Sequence, residues 1–223
     1  MNLTKIKEWL IDFAAYVPGF AKAAGIVLVL TLLIIVVSWI CGLIAALGKQ
    51  SRLKFVRSAA SFYVWFIRGT PTLVQVFIVY FGFPQLGLKL SPFVAGTLAL
   101  GISSGAYVAE TIRAGLTAIP KGQMESALAL GMGRAGAMQR IILPQVFRII
   151  LPSLTNEAIA ALKNTSLLST ITVVELTLYS QLLIASTFRP FDFYIASAFI
   201  YLVMTSLLSR LAHWLERRYA LRY

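Results

Sequence analysis

Acidic residues are scarce in this chain: eight Asp and Glu stand against 20 Lys and Arg in 223 residues, for a net charge of +12. There is one histidine and one cysteine, His213 and Cys41. A single cysteine excludes an intrachain disulfide, and the apolar run around Cys41 favours a small packing residue over a reactive thiol. The cysteine count therefore does not indicate a redox compartment. No metal-ligand cluster and no nucleophile–base pair is visible, which disfavours an intramembrane enzyme. His213 lies in a basic tail with no Ser, Asp or Cys partner and reads as a solvated interface residue. The pattern G-x-x-x-x-G-K-[ST] is absent, so the chain cannot hydrolyse ATP in the P-loop manner. A G-x-G-x-x-G does occur at 131–136, but no strand precedes it and no acidic ribose partner follows, so it is no dinucleotide site. Charge of either sign is thin, at 13% of residues; soluble domains carry about 25%.

What fills the space is apolar: 59% of residues are hydrophobic, in runs long enough to decide the class. A membrane-spanning helix needs about 20 mostly apolar residues. The first such run is 23–47, uncharged between Lys22 and Lys49 and too long for a signal-peptide core. Residues 1–21 read as an amphipathic entry segment, with Ile6, Trp9, Leu10, Phe13 and Val17 at helical spacing and Pro18-Gly19 breaking the pattern. The stretch 59–86 is interrupted by Arg68-Gly69-Thr70-Pro71. Proline removes an N–H and disfavours helix before it, so this stretch predicts a half-span or interfacial helix ending near 67 and a short helix over 72–83. Further spans are predicted at 92–114, 146–171 and 193–211, with 172–190 ambiguous between Glu175 and Arg189-Pro190. The third span carries Gly101-x-x-x-Gly105, a small-residue face of the kind that lets helices approach closely in lipid. This face predicts packing against a second copy or a close relative. The expected fold is an all-α membrane helix bundle of about five spans with two partial helices. Trp9, Trp39, Trp65 and Trp214 read as interfacial anchors.

The basic residues give an orientation. Four lie at 49–57, five at 113–148 and four at 210–223, thirteen of 20 on one side if five spans alternate. Loops rich in Lys and Arg remain cytoplasmic. The N-terminus is then outside and the C-terminus inside. A nucleic-acid partner would call for a basic stripe on a soluble fold, and none is present.

Ionisable residues within spans are costly and usually face a cavity or a partner. Ser153, Glu157, Ala160 and Asn164 share one helical face, with Asn156 beside them. That face is a candidate solute path. The break at Gly69-Thr70-Pro71 exposes backbone that must face protein or water, which adds Thr70 and Gln75, with Thr72 between them. Glu157 has two readings. It either favours a cationic solute by Coulomb attraction in low dielectric, or it neutralises Lys163 or Arg68 structurally. The first reading points to basic amino acids. Lys163 reading a carboxylate keeps neutral and acidic amino acids open.

Residues 115–144 are much less apolar and predict a helix–turn–helix elbow on the cytoplasmic side. Glu125 would cap or pair within a docking interface, Gly131 would permit the sharp turn, and Pro144 would end the second helix. Glu125-Ser126-Ala127, then Gly131, Ile141 and Leu143-Pro144, resembles the coupling loop of importer-type ABC permeases at every spacing; only Ser126 departs, replacing one small residue by another. The resemblance continues in Arg68-Gly69-Thr70-Pro71 with Gln75 and Tyr80-Phe81-Gly82. It extends through Ala106-Tyr107 to Glu110 and Arg113, Gly122-Gln123-Met124-Glu125, and Leu162-Lys163-Asn164-Thr165-Ser166-Leu167. Together these resemble the polar amino acid uptake subfamily. The resemblance implies a type I importer permease fold, with a transmembrane domain over 22–217 and a cytoplasmic tail at 218–223. It implies a partner ATP-binding cassette subunit that carries ATP and Mg2+, a solute-binding protein outside, and a second permease copy or homologue. This chain itself would bind no cofactor. A channel or an ion-gradient transporter working alone is the competing class; it would lack a matched docking loop and transport without ATP.

Overall fold

The computed structural model describes residues 14–219, and every element among them is helical. In chain order these are α1 (Val17–Lys49), α2 (Lys54–Gly69), α3 (Thr72–Phe77), α4 (Pro92–Ala118), α5 (Lys121–Ala129), α6 (Arg134–Ala137), α7 (Leu143–Asn164), α8 (Leu176–Thr187) and α9 (Pro190–Tyr219). Three of them, α1, α4 and α9, are long and apolar enough to cross a membrane. The count rises to five if two bent pairs each form one span, in agreement with the sequence reading. Most of the predicted amphipathic entry segment lies outside the described residues. Its Pro18-Gly19 does not break the chain: α1 begins at Val17 with the proline in its first turn, where the missing N–H has no intrahelical partner to lose.

The α1–α4 pair is packed most closely. A Cβ on Gly105 would lie 2.7 Å from Cys41 Cβ and 2.8 Å from Tyr63 Oη, and one on Gly101 would overlap Val37. Ser103, Ser104 and Ala106 are buried in the same stretch. The small-residue face of α4 thus meets α1 of the same chain. This corrects the expectation that it faces a second copy, and it gives Cys41 its packing role.

The predicted break after α2 is real. Thr70 is extended (φ −118°, ψ 147°) because Pro71 excludes the helical conformation before it. The chain turns by 113° between Lys54–Gly69 and Thr72–Leu86. One face of α2 buries Val64 and Ile67, and the other exposes Phe55, Phe62 and Trp65. Beyond α3 a wider turn (Ile78–Gly82) and a tight one (Phe83–Leu86) end at Gly87, whose φ of 85° suits glycine.

Pro144 does not end the second helix of the elbow, contrary to expectation. The helix from Arg134 continues through a wider turn at Met138–Ile142 into α7 and on to Ile171. An expanded turn changes which carbonyls need a donor, so the helix can pass a residue with no N–H. Thr172, in the left-handed region at φ 65°, then turns the chain, and α8 departs at 45°.

Four buried clusters among the described residues hold the bundle together; one of them, Ala45, Ala46, Val64 and Ala109, joins α1, α2 and α4. Leu30, Ile34, Val76, Ala99 and Leu168 join α1, α3, α4 and the end of α7. Phe20, Val27, Leu176 and Phe193 join α1 to α8 and α9. Val108, Ile142, Val146 and Ile150 join α4 to the base of α7. Leu32, Ile44, Phe199 and Leu202 remain outward-facing. Such an apolar exterior suits lipid or another membrane helix.

Candidate functional site

Two features stand out: the elbow between α4 and α7, and a polar cleft between α2, α4 and α7.

Helix α5 ends in a double-bonded glycine stop. Gly131 N–H donates to Leu128 O (3.0 Å) and Met132 N–H to Ala127 O (3.1 Å), with Gly131 at φ 81°. This pairing satisfies the last carbonyls of a helix and requires a left-handed residue. The sequence reading assigned Gly131 that role. Ala127 and Ala137 are fully buried where α5 meets α6. Ile141 is half-buried against the cluster at the base of α7, while Glu125, Ser126, Leu143 and Pro144 are exposed. Gln145 Nε2 donates to Gln123 Oε1 across the elbow (3.4 Å). At the apex Leu130 is 83% exposed. The elbow is thus a small rigid unit with a bare apolar tip, and Glu125 makes no ion pair among the described residues.

The cleft has a volume of about 590 Å³, and its lining includes Arg68, Tyr107, Glu110, Arg113, Ser153 and Glu157. Glu110 is its hub. It accepts from Lys49 Nζ and from Arg113 Nε (3.0 Å), and Arg113 Nη2 lies 2.8 Å from it in the same ion pair. The Glu110–Arg113 pair follows from their i, i+3 spacing on α4. The Lys49 contact ties the end of α1 to α4 and is not readable from spacing. Arg68 Nη1 stands 3.9 Å from Glu110 Oε2, with its guanidinium over the Tyr107 ring (5.5 Å). A second cleft of about 500 Å³, lined by Lys49, Trp65, Arg68 and Glu110, adjoins this hub.

Of the six predicted solute contacts, Ser153 and Glu157 line the larger cleft together. Glu157 forms no ion pair with Lys163 or Arg68. Thr70 and Gln75 are engaged elsewhere. The Gln75 amide donates to Ile67 O (2.8 Å), Thr70 O (3.1 Å) and Thr70 Oγ1 (2.9 Å), which satisfies the carbonyls freed by the break. Thr70 Oγ1 itself donates to Phe66 O (3.0 Å). Asn156 is exposed and Asn164 half-buried at the end of α7; neither lines the cleft.

Sequence reasoning treated Glu175 as a boundary marker only. It is fully buried and caps α8, accepting from Thr177 N–H (2.9 Å), Leu178 N–H (3.0 Å) and Tyr201 Oη (2.7 Å). An acidic residue immediately before an apolar helical run was the available signal. Among the described residues no three His, Cys, Asp or Glu converge as a metal site requires.

A bent, two-piece helical span, a rigid elbow with an apolar tip and a charged cleft between helices suit a membrane transport component. Comparison with known proteins agrees. Residues 38–221 match the family model "Binding-protein-dependent transport system inner membrane component". The L-cystine transport system permease protein TcyB of Bacillus subtilis (strain 168) is 41% identical over 85% of this chain and 81% of the relative. The probable glutamine ABC transporter permease protein GlnM of the same organism is 38% identical over 93% and 94%. A crystal structure of an amino acid ABC transporter with histidines superposes with a TM-score of 0.88 at 42% identity, covering 93% of this chain and 97% of that one. The fold also matches the inward-facing MetNI methionine ABC transporter, with a TM-score of 0.70 at 14% identity. The chain belongs to the binding-protein-dependent transport system inner membrane component family. It is a multi-pass permease of the inner membrane with the type I importer fold, and not an enzyme.

Proposed function

We propose that this permease translocates a polar amino acid, with basic amino acids as the leading substrates, driven by ATP hydrolysis on a separate cassette subunit. The amino-acid class is supported by the relatives, whose names include L-cystine and glutamine transport. The observation that carries the basic preference is Glu157. It lies half-buried on α7 in a polar cleft with no cation bonded to it. An unpaired carboxylate at low dielectric attracts a cationic side chain or an α-ammonium group. Ser153, one turn away on the same cleft wall, supplies a hydroxyl for orientation.

The chain works as part of an assembly. A solute-binding protein delivers the amino acid, a second permease copy or homologue completes the pore, and the cassette subunits grip the elbow. Glu125, Ser126, Ala127 and Gly131, with Ile141, Leu143 and Pro144 at its far end, form that grip. The exposed Leu130 tip is the kind of apolar knob a partner's pocket would bury. ATP and Mg2+ reside on that partner. The elbow faces the cytoplasm, with the N-terminus outside and the C-terminus inside. Support comes from the clustering of basic termini. Lys49 at the end of α1 pairs with Glu110 late in α4, where Arg113 pairs as well, while Thr155 on α7 donates to Glu216 at the end of α9 (2.8 Å).

The test is uptake by the permease reconstituted with its cassette subunit and solute-binding protein. Arginine, glutamine and cystine are each assayed for uptake and for stimulated ATP hydrolysis. Arginine is expected to drive both, and Glu157→Gln to lower arginine uptake roughly tenfold, one lost charge contact. Unchanged arginine uptake in that variant overturns the basic reading and leaves the neutral one that glutamine or cystine stimulation would support.

A further inference from the structure

Helix α2 does not run like a span. Along α1, which is long enough to cross the membrane, residue number gauges depth at about 1.5 Å per residue. A Cβ on Gly48 of α1 would lie 2.9 Å from Ala60 Cβ and 3.7 Å from Val56 Cγ1 of α2. Ala45 and Ala46 share a cluster with Val64. From Val56 to Val64, about 12 Å of α2 axis, the chain thus moves only about 4 Å in depth. Beyond the break the direction changes. Val76 joins the cluster of Leu30 and Ile34, about 16 Å deeper than Ala45. The 113° turn therefore separates a helix lying across the end of the bundle from one that enters it. With 16 residues, α2 is about 24 Å long, short of the ~30 Å hydrocarbon core.

Three stripes run along this helix at helical spacing. Val56, Ala60, Tyr63 and Ile67 form the one turned toward the bundle, where Tyr63 Oη donates to Ile102 O (2.6 Å). Phe55, Ala59, Phe62 and Phe66 form the second, which is exposed, with Phe62 stacked on Phe66. Lys54, Arg57, Ser61 and Arg68 form the third, also exposed, and Arg52 precedes it in the loop. Trp65 lies between the aromatic and basic stripes. Among the described residues Arg52, Lys54 and Arg57 form no ion pair. No acidic residue occurs between Asp12 and Glu110. A second copy meeting this stripe about a two-fold axis would oppose cation to cation. A helix with an aromatic face, a Lys/Arg face and a tangential course suits the boundary between acyl chains and headgroups. We propose that α2 is an interfacial helix that binds anionic phospholipid: the phenylalanine stripe lies among acyl chains, and Lys54 and Arg57, with Arg52, hold the headgroup phosphate. In the orientation given above, that lipid belongs to the cytoplasmic leaflet.

The experiment uses the permease assembled with its cassette subunit in nanodiscs of phosphatidylcholine mixed with phosphatidylglycerol. In a Cys41→Ala background, nitroxides are attached through Phe62→Cys on the aromatic stripe and Ser58→Cys near the basic one. The first label is expected to collide preferentially with oxygen, the second with a water-soluble nickel chelate. Shielding of the Phe62 label from both would mean that protein covers the stripe, and chelate access at both sites that the helix lies in water; either overturns the proposal. Lipid retention is then read by native mass spectrometry. The native complex should hold phosphatidylglycerol over phosphatidylcholine. The double variant Lys54→Gln/Arg57→Gln should lose roughly fivefold of that preference per residue, about twentyfold in all. Lys54→Arg/Arg57→Lys, which keeps both charges, should restore it, and melting temperatures in detergent report that the variants fold. Equal retention by the native and glutamine complexes, or a native complex indifferent to headgroup charge, overturns the proposal. So does displacement of the lipid by millimolar inorganic phosphate, which would make the site one for a free anion. Both leaflets of the nanodisc carry both lipids. A reversed topology would therefore move α2 to the other leaflet and leave the lipid site standing, so the two readings fail separately.

Discussion

At the scale of single residues, the glycines of α4 show how side-chain volume sets helix approach. Gly105 admits no Cβ without displacing Cys41 or the Tyr63 hydroxyl, which donates to Ile102 O (2.6 Å). Gly25 on α1 faces open space. Gly105→Ala should therefore destabilise the protein by about 1–3 kcal/mol, the usual cost of overpacking. Gly25→Ala should be neutral or slightly stabilising through helix propensity. Thermal unfolding of the two variants in detergent checks the contrast, and similar melting temperatures would mean the α1–α4 contact is looser than described. Sequence alone identified the small-residue face but could not name its partner. Gly101 and Gly105 read the same whether Val37 and Cys41 come from the same chain or from another. Gln75 shows the same limit. A polar residue after a helix break is equally suited to a solute and to the carbonyls the break frees, and only the fold reveals Ile67 O and Thr70 O within reach.

Among elements, the elbow was the most legible. Its spacing is local, so Gly131 at the turn could be placed from the chain alone. Pro144 could not. Its effect depends on the register of the helix before it, and the expanded turn at Met138–Ile142 removes the conflict that a regular helix would have. Gly131→Val forces a β-branched residue into the left-handed region, at about 1–2 kcal/mol. That strain is confined to the elbow, so the bundle should stay folded. In the reconstituted transporter Gly131→Val and Glu125→Ala are both expected to retain ATP hydrolysis and lose at least most of the coupled uptake. Native uptake by both variants would count against the docking role. The break between α2 and α3 was legible for the same local reason, since Thr70 before Pro71 has few conformations open to it. The Glu110 hub was half legible: Arg113 is a helical neighbour, whereas Lys49 and Arg68 arrive from other elements.

For the whole molecule, the fold class followed from run lengths, because lipid leaves few alternatives to helices with internally satisfied backbones. The proposed orientation rests on a count of bases and can be tested by itself. In a Cys41→Ala background, cysteines placed at Ser51 and Leu130 should react with an impermeant maleimide only in inside-out vesicles. One placed at Leu88, 58% exposed just past the end of the broken span, should react only in right-side-out vesicles. Reversed labelling would invert the topology and place the elbow outdoors. The passage of the helix through Pro144 has a mechanical consequence. From Arg134 to Glu157 the backbone is one rod of about 35 Å at 1.5 Å per residue, with no hinge loop along it. On the proposed reading, a push on the elbow would travel to Glu157 along this one continuous helix, through the wider turn at Met138–Ile142 and past Pro152.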